Sequence, residues 1–176
     1  VDDDATPGVP YPVRASMRKL DVFDFPGVES YDAVLYLDSD VVVRGSLQPA
    51  LAVVEDPEVL YTVPEDSIVD RFHQCADAPF SEDELAAFAA AGRRSFNAGQ
   101  FAFAPSATMR AHFDALRAKR AGYDPARHFY EQTWLNEHFL RRGQLSDALA
   151  PFVSLGPLDT GCLLYTSPSP RAGLLS

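Results

Sequence analysis

The sequence predicts an α/β fold in which a mixed, mostly parallel sheet is flanked by helices. Short β-favouring runs alternate with amphipathic segments along the chain, without internal repeats, and this alternation is typical of strands joined by crossover helices. The chain has 176 residues, of which 47% are apolar. One globular domain with a sizeable core is therefore expected.

The first half of the chain contains one strong strand. Residues 1–19 are rich in proline and are predicted to form a loop. The run Ala33 to Leu37 favours a buried strand, which ends at Asp38-Ser39-Asp40 and is expected to resume at Val41 to Val43. We therefore expect an apolar strand interrupted by two carboxylates.

Two short elements are predicted next. Ser46 is expected to cap a short helix that ends at Leu51. The run Leu60 to Val63 favours a short strand bounded by Pro64, because proline has no N–H group for a sheet.

The second half is predicted to be mainly helical. Ser81, followed three residues later by Glu84, has the pattern of a capping box that opens a helix, and Gly92 can end it. Met109, Phe113 and Leu116 have the spacing of one buried helical stripe. The remaining predicted elements are strand 100–104, helix 106–121, helix 130–142 and a last strand 152–155.

The charge balance excludes some partners. The chain has 15 Lys and Arg against 25 Asp and Glu, a net charge of −10. A nucleic-acid partner is not expected, because phosphate binding needs a basic face. No apolar run approaches the roughly 18 residues of a membrane span.

Both ends of the chain have unusual features. The chain begins with Val1 and an acidic stretch, so we expect a piece of a longer protein. The segment from Cys162 to Arg171 resembles the translation of a sequencing-library adapter. We therefore expect a partial catalytic domain over residues 1–161 and a non-native tail over residues 162–176.

The acidic pair Asp38 and Asp40 is the strongest candidate for a metal site. The two residues are two positions apart after a strand, so their side chains can lean to the same side. Carboxylate oxygens suit Mn²⁺ or Mg²⁺, and such an ion keeps positions open for two phosphate oxygens. Alternatively, the pair forms a strand-end turn whose side chains bond nearby backbone N–H groups.

Three segments in sequence order resemble the motifs of the glycogenin-like glycosyltransferases, family 8. The run Tyr31 to Val43 is similar to the family's Tyr-Asp-x-Val-Leu-Tyr-Leu-Asp-x-Asp signature. Phe96-Asn97-Ala98-Gly99 is similar to its Phe-Asn-(Ser/Ala)-Gly segment, and Glu131 to Asn136 to its Asp-Gln-x-x-(Leu/Ile)-Asn segment. The resemblance extends over roughly residues 18–155.

The resemblance implies a GT-A fold, a UDP-hexose donor, Mn²⁺ and sugar transfer with retention at the anomeric carbon. It implies that Asp38 and Asp40 bind the metal and that Glu131 and Gln132 act in catalysis. The family has Asp where this chain has Glu131, which is one methylene longer. The residues implied to bind the donor substrate are Asp38, Ser39, Asn97, Ala98, Gly99 and Lys19.

Two segments of the family have no match in this sequence. One is the first strand, which holds the uracil base, and the other is the C-terminal His-x-x-Gly-x-x-Lys segment, which supplies a third metal ligand. We therefore expect a fold incomplete at both ends, and a chain that is inactive and marginally stable as written.

Two alternatives remain open from the residues alone. An apolar strand that ends in Asp-x-Asp also resembles the haloacid-dehalogenase phosphatases, in which the first Asp is a nucleophile. That alternative predicts a Thr after the motif and a later Asp-Asp pair, whereas Val41-Val42 follows here. The other alternative is a non-catalytic domain that binds a nucleotide-sugar.

Overall fold

The computed structural model describes residues 10–67, 80–122 and 130–153. The predicted boundary near Gly161, the tail that follows it and most of the predicted last strand lie outside these residues. The helices are α1 (Tyr11–Met17), α2 (Gln48–Leu51), α3 (Glu82–Ala90), α4 (Ala107–Ala118) and α5 (Tyr130–Arg142). The strands are β1 (Val34–Leu37), β2 (Leu60–Ser67), β3 (Arg94–Phe103) and β4 (Leu145–Ser146). Short 3₁₀ helices cover Arg18–Asp24, Val28–Ser30, Lys119–Gly122 and Ala150–Phe152.

The four strands form one mixed sheet in the order β1-β3-β2-β4. β3 is antiparallel to both of its neighbours, and only the short β4 runs parallel to β2. The prediction of a mixed sheet is confirmed, but the prediction that it is mostly parallel is wrong. Helix α3 lies in sequence between β2 and β3 and has no fully buried residue. It therefore does not cover the sheet as the crossover helix of a parallel pair would.

The central strand β3 is longer than predicted. It begins at Arg94 and not at residue 100, so Phe96, Asn97, Ala98 and Gly99 lie within the sheet. The register pairs Leu37 of β1 with Gln100 of β3. This pairing brings the end of β1, where Asp38 follows, next to the Asn97–Gly99 segment.

An aromatic core lies on one face of the sheet. Phe101 and Phe103 of β3 pack against Phe113 of α4 and Phe23 of the first 3₁₀ helix. Their ring centroids are 5.2 to 6.1 Å apart in the close pairs, which is the usual range for favourable aromatic contacts. Met109, Phe113 and Leu116 are fully buried, so the predicted stripe of α4 is confirmed.

The predicted helix starts at Ser81 and Ser106 are confirmed. Ser81 and Glu84 form both hydrogen bonds of the capping box, and α3 ends before Gly92, which has a φ of +64°. The side chain of Ser106 accepts a hydrogen bond from the Met109 N–H group at 3.0 Å and caps α4. Local polar side chains therefore define the ends of these helices.

The proline-rich start was predicted incorrectly. Within the described part of residues 1–19, α1 begins at Tyr11 and is followed directly by a 3₁₀ helix. A proline lies in the first turn of α1, where its missing N–H group costs nothing. Ion pairs from Asp21 to Arg117 (3.2 Å) and to Arg120 (2.8 Å) attach this region to the end of α4.

Three strand predictions also need correction. Val41 to Val43 do not resume the strand: Val42 and Val43 are more than half exposed and pair with no strand among the described residues. β2 continues through Pro64 with an irregular register, and a 3₁₀ turn occupies Ala150–Phe152 where the last strand was to begin. A β-favouring composition does not form a strand without a partner at the required distance.

Candidate functional site

Lys19 lies at the centre of a buried polar cluster. Its side chain is 4% exposed, and its Nζ atom lies 3.2 Å from Oδ1 of Asp38 and 3.3 Å from Oε1 of Glu131. The same Nζ atom donates a hydrogen bond to the carbonyl oxygen of Ala98 at 3.1 Å. An ammonium has three protons to donate, so these acceptors match its capacity. We call Lys19, Asp38, Glu131 and Ala98 the Lys19 cluster.

Asp38 is attached to its surroundings through backbone and side chain. Its N–H group donates to the carbonyl oxygen of Gly99 at 2.7 Å, which extends the pairing of β1 and β3 by one bond. The hydroxyl of Tyr36 donates to Oδ1 of Asp38 at 2.7 Å. Burial, this hydrogen bond and the charge of Asp38 raise the pKa of Tyr36 well above its usual range, so the phenol stays protonated.

The Asn97–Gly99 segment contributes backbone groups as well as a side chain. Oδ1 of Asn97 accepts a hydrogen bond from the N–H group of Gly99 at 2.7 Å. A Cβ atom on Gly99 would lie 2.9 Å from Oδ2 of Asp38. Glycine is therefore required here for the close approach of the Asp38 carboxylate, while Ala98 contributes through its N–H and carbonyl groups.

Glu131 and Gln132 reach the same region from the first turn of α5. The carboxylate of Glu131, whose side chain is 10% exposed, accepts from the Ser16 hydroxyl at 3.1 Å as well as from Lys19. Oε1 of Gln132 accepts from the Ala98 N–H group at 3.1 Å. The structure therefore brings Lys19, Asp38, Asn97–Gly99, Glu131 and Gln132 together, although they come from four separate elements.

Ser39 and Asp40 lie at the exposed edge of this site. They follow Asp38 in a turn in which the Val41 N–H group bonds the Asp38 carbonyl oxygen at 3.1 Å. Asp40 is one of the charges that raise the pKa of Tyr36, so it acts on the same environment as Asp38. Both residues are accessible to a ligand from solvent.

The oxygen donors at this place suit a hard divalent cation. Asp38 is partly exposed, with 37% of its side chain accessible, and Asp40 is exposed. The part of the chain that the structure describes contains no group of three or more His, Cys, Asp or Glu side chains that could hold a metal. A cation bound by this pair would thus take its other ligands from water or phosphate, as Mn²⁺ and Mg²⁺ readily do.

Comparison with known families then identifies the chain. The family model for glycosyl transferase family 8 matches residues 19–127. The chain belongs to glycosyltransferase family 8. It is therefore a glycosyltransferase, as predicted, and not a phosphatase. Comparisons with curated proteins and with solved structures gave no match.

The residues of the polar centre of this glycosyltransferase lie partly inside and partly outside the matched range. The matched residues begin at Lys19 and include Asp38, Asp40 and the Asn97–Gly99 segment. Glu131 and Gln132 lie beyond the matched residues, and hydrogen bonds join them to Lys19 and Ala98. Tertiary structure thus connects the matched and unmatched parts of the family 8 chain.

Sequence reasoning missed three polar residues around this site. It assigned no role to Ser16, which lay in a predicted loop, or to the hydroxyl of Tyr36. It also assigned no role to Asn136, the last residue of the third motif, which is fully buried and bonds both the N–H and the carbonyl group of Phe96 at 2.9 Å. Its spacing of four residues from Gln132 on α5 was a signal, because such residues share one helix face.

Among residues 10–67, 80–122 and 130–153, no helix has the length and apolar character needed to cross a membrane.

Proposed function

We propose that this glycosyltransferase moves a hexose from a nucleotide-sugar, a UDP-hexose, to an acceptor hydroxyl with retention of configuration, on a fold of the GT-A type. The observation that carries the proposal is the Lys19 cluster. It joins the acidic strand end to the Asn97–Gly99 segment and to α5. All three motifs therefore meet at the buried ammonium group of Lys19.

Asp38 and Asp40 would hold a Mn²⁺ or Mg²⁺ ion at the exposed side of the cluster. When bound, the ion stabilises the negative charge that develops on the leaving diphosphate, as a Lewis acid does. The chain is strongly acidic, with a net charge of −10. A divalent cation would therefore offset the repulsion between the carboxylates and a diphosphate.

Asn97, Glu131 and Gln132 are the residues that would bind and orient the donor sugar. Oδ1 of Asn97 accepts a hydrogen bond from the Gly99 N–H group, so the amide nitrogen is the group that Asn97 would offer to a ligand as a donor. Glu131 is held by Lys19 and Ser16, so its carboxylate is ordered before a sugar arrives. Gln132 has one lone pair of its carbonyl oxygen engaged by Ala98 and a second to offer near the anomeric carbon.

Lys19 would support the diphosphate side of the site through its charge. The ammonium is buried between the two carboxylates, where its field is screened less than on the surface. The backbone of Ala98 lies beside it, and Ser39 follows Asp38 in the exposed turn. Both residues would complete the donor contacts.

A non-catalytic nucleotide-sugar-binding domain is the second candidate function. It is favoured by Glu131, which stands where the family has Asp and is one methylene longer. The two candidates differ in turnover: only the enzyme releases UDP and sugar from UDP-glucose or UDP-galactose in the presence of Mn²⁺.

Calorimetry of UDP binding tests the metal-dependent proposal. We expect UDP to bind with Mn²⁺ present and to lose its affinity when the metal is removed by a chelator. Asp40→Asn should abolish the metal-dependent part of binding, whereas the control Asp83→Asn, on the exposed first turn of α3, should not. UDP binding that is equally strong with chelator present would contradict the proposal.

A further inference from the structure

The geometry points to Tyr36 as a positioning residue that orients the Asp38 carboxylate for cation binding. This inference rests on the proposed function, because it assumes that Asp38 is a metal ligand. Tyr36 lies two residues before Asp38 in the chain, so both side chains extend from the same side of the strand. The phenol hydroxyl donates to Oδ1 of Asp38 at 2.7 Å.

The ring of Tyr36 is itself held in place. It stacks on Phe101, its cross-strand partner in β3, with ring centroids 4.9 Å apart and an interplanar angle of 14°. The ammonium of Lys19 lies 5.3 Å from the centroid of the same ring. The hydroxyl therefore extends from a ring packed against the buried core and offers Asp38 a donor at a defined position.

The two oxygens of Asp38 have different surroundings as a result. Oδ1 receives the Tyr36 hydroxyl and is the nearer oxygen to Lys19, at 3.2 Å. Oδ2 accepts a hydrogen bond from Lys19 at 3.4 Å and lies next to the space that a Cβ atom on Gly99 would fill. A carboxylate can accept about four hydrogen bonds or ligands, two on each oxygen. Oδ1 faces both the Tyr36 hydroxyl and Lys19, whereas Oδ2 faces only Lys19, so a position for a cation remains on Oδ2.

Lys19 contacts both oxygens of Asp38 and does not distinguish them, so without the phenol hydroxyl the carboxylate could turn about its Cβ–Cγ bond. Hydrogen bonds from a neighbouring group fix the orientation of a ligating carboxylate, and their loss typically weakens metal binding by about 10- to 100-fold. We expect a loss of this order when the Tyr36 hydroxyl is removed and the ring is kept.

Tyr36→Phe tests this role, with Tyr61→Phe as the matched control. Tyr61 also lies in the sheet, and its hydroxyl accepts from the N–H groups of Glu55 and Asp56 at 3.0 and 2.8 Å. Each variant thus loses one hydrogen-bonded phenol hydroxyl from the same sheet. Mn²⁺ is titrated into each full chain in the presence of UDP, and bound metal is followed by electron paramagnetic resonance, with the thermal midpoint measured alongside.

Metal binding by Tyr36→Phe that is weaker by about 10-fold or more, with Tyr61→Phe close to wild type, would support the role. Unchanged Mn²⁺ affinity and an unchanged spectrum in Tyr36→Phe would overturn it. An equal loss in both variants would also overturn it, because the effect would then follow stability alone. Absence of Mn²⁺ binding by the unaltered chain would instead overturn the proposed function, and this inference with it.

Discussion

The ammonium of Lys19 lies 3.3 Å from the carboxylate of Glu131, which joins the 3₁₀ helix near the start of the chain to α5 near its end. The same ammonium contacts Asp38 at 3.2 Å. One buried positive charge therefore pairs with two carboxylates that the proposed reaction needs. The first prediction follows from this arrangement.

Lys19→Met is expected to destabilise the chain. Removing the ammonium leaves Glu131, whose side chain is only 10% exposed, without its main partner. The expected loss is about 2–4 kcal/mol in the free energy of unfolding, measured by urea denaturation. Lys119→Met is the control. Lys119 also pairs with a carboxylate, that of Glu137 at 2.7 Å, but its side chain is 34% exposed, so this substitution should lower the free energy of unfolding by less than about 1 kcal/mol. Equal losses in the two variants would contradict this assignment.

Gly99→Ala is expected to impair ligand binding more than folding. The added methyl group would lie 2.8 Å from Oδ1 of Asn97 and 2.9 Å from Oδ2 of Asp38, so both side chains must move. We expect UDP–Mn²⁺ affinity to fall about 10-fold or more in calorimetry, with a stability loss of about 1 kcal/mol. Gly45→Ala is the control, because its Cβ would meet nothing within 4 Å. Wild-type affinity in Gly99→Ala would show that this close approach is not needed.

Asn136→Ala is expected to weaken the junction of α5 and β3. The Asn136 side chain pairs with both the N–H and the carbonyl group of Phe96 in a fully buried position. Its loss would leave both backbone groups of Phe96 unpaired and should lower the free energy of unfolding by about 2–4 kcal/mol. Asn97→Ala removes one hydrogen bond at a half-buried position and should cost about 1 kcal/mol. Denaturant midpoints compare the two, and a smaller loss for Asn136→Ala would refute the expectation.

Stability is expected to fall in mild acid because of His138. This ring is 5% exposed and lies 3.0 Å from the His112 ring; burial, followed by the charge of Arg142, lowers the pKa of His138 from 6.5 to about 3. Below pH 6.5 the unfolded chain gains a proton that the folded chain does not, so stability present above pH 6.5 is lost progressively toward pH 3.

The loss attributable to His138 between pH 6.5 and pH 5 should be about 2 kcal/mol. It is measured as the difference in pH dependence between the wild type and His138→Gln, each unfolded in urea across this range. The subtraction removes the acid sensitivity of other groups, such as Glu84, whose pKa is lowered to about 2 by Arg141 and the Ser81 N–H group. Identical pH dependence in the two proteins would argue against a buried neutral His138.

Local signals were read correctly where short-range chemistry decides the outcome. Ser81 with Glu84 and the spacing of Met109, Phe113 and Leu116 predicted α3 and the buried stripe of α4. Such features depend on residues within one or two helical turns, so the sequence suffices to identify them. The family also followed from short motifs, because their residue types and order are visible in the chain.

Strand direction and partner could not be determined in this way. The alternation of strands and helices suggested a parallel sheet, yet β3 pairs antiparallel with both β1 and β2. Val41 to Val43 favour a strand by composition, but in the part of the chain that the structure describes they bond to no neighbouring strand. Pairing depends on which segments meet in space, and residue preference alone does not specify that.

By itself, then, the sequence determined the family, the acidic pair and the residues from which a site could be built. Only the tertiary structure decided that Lys19 pairs with both Asp38 and Glu131, that Tyr36 bonds Asp38, and that Asn136 joins α5 to β3. These contacts join residues through the register of β1 on β3 and the packing of α5. Hydrogen bonds and ion pairs act over a few ångströms, and the folded backbone sets those distances.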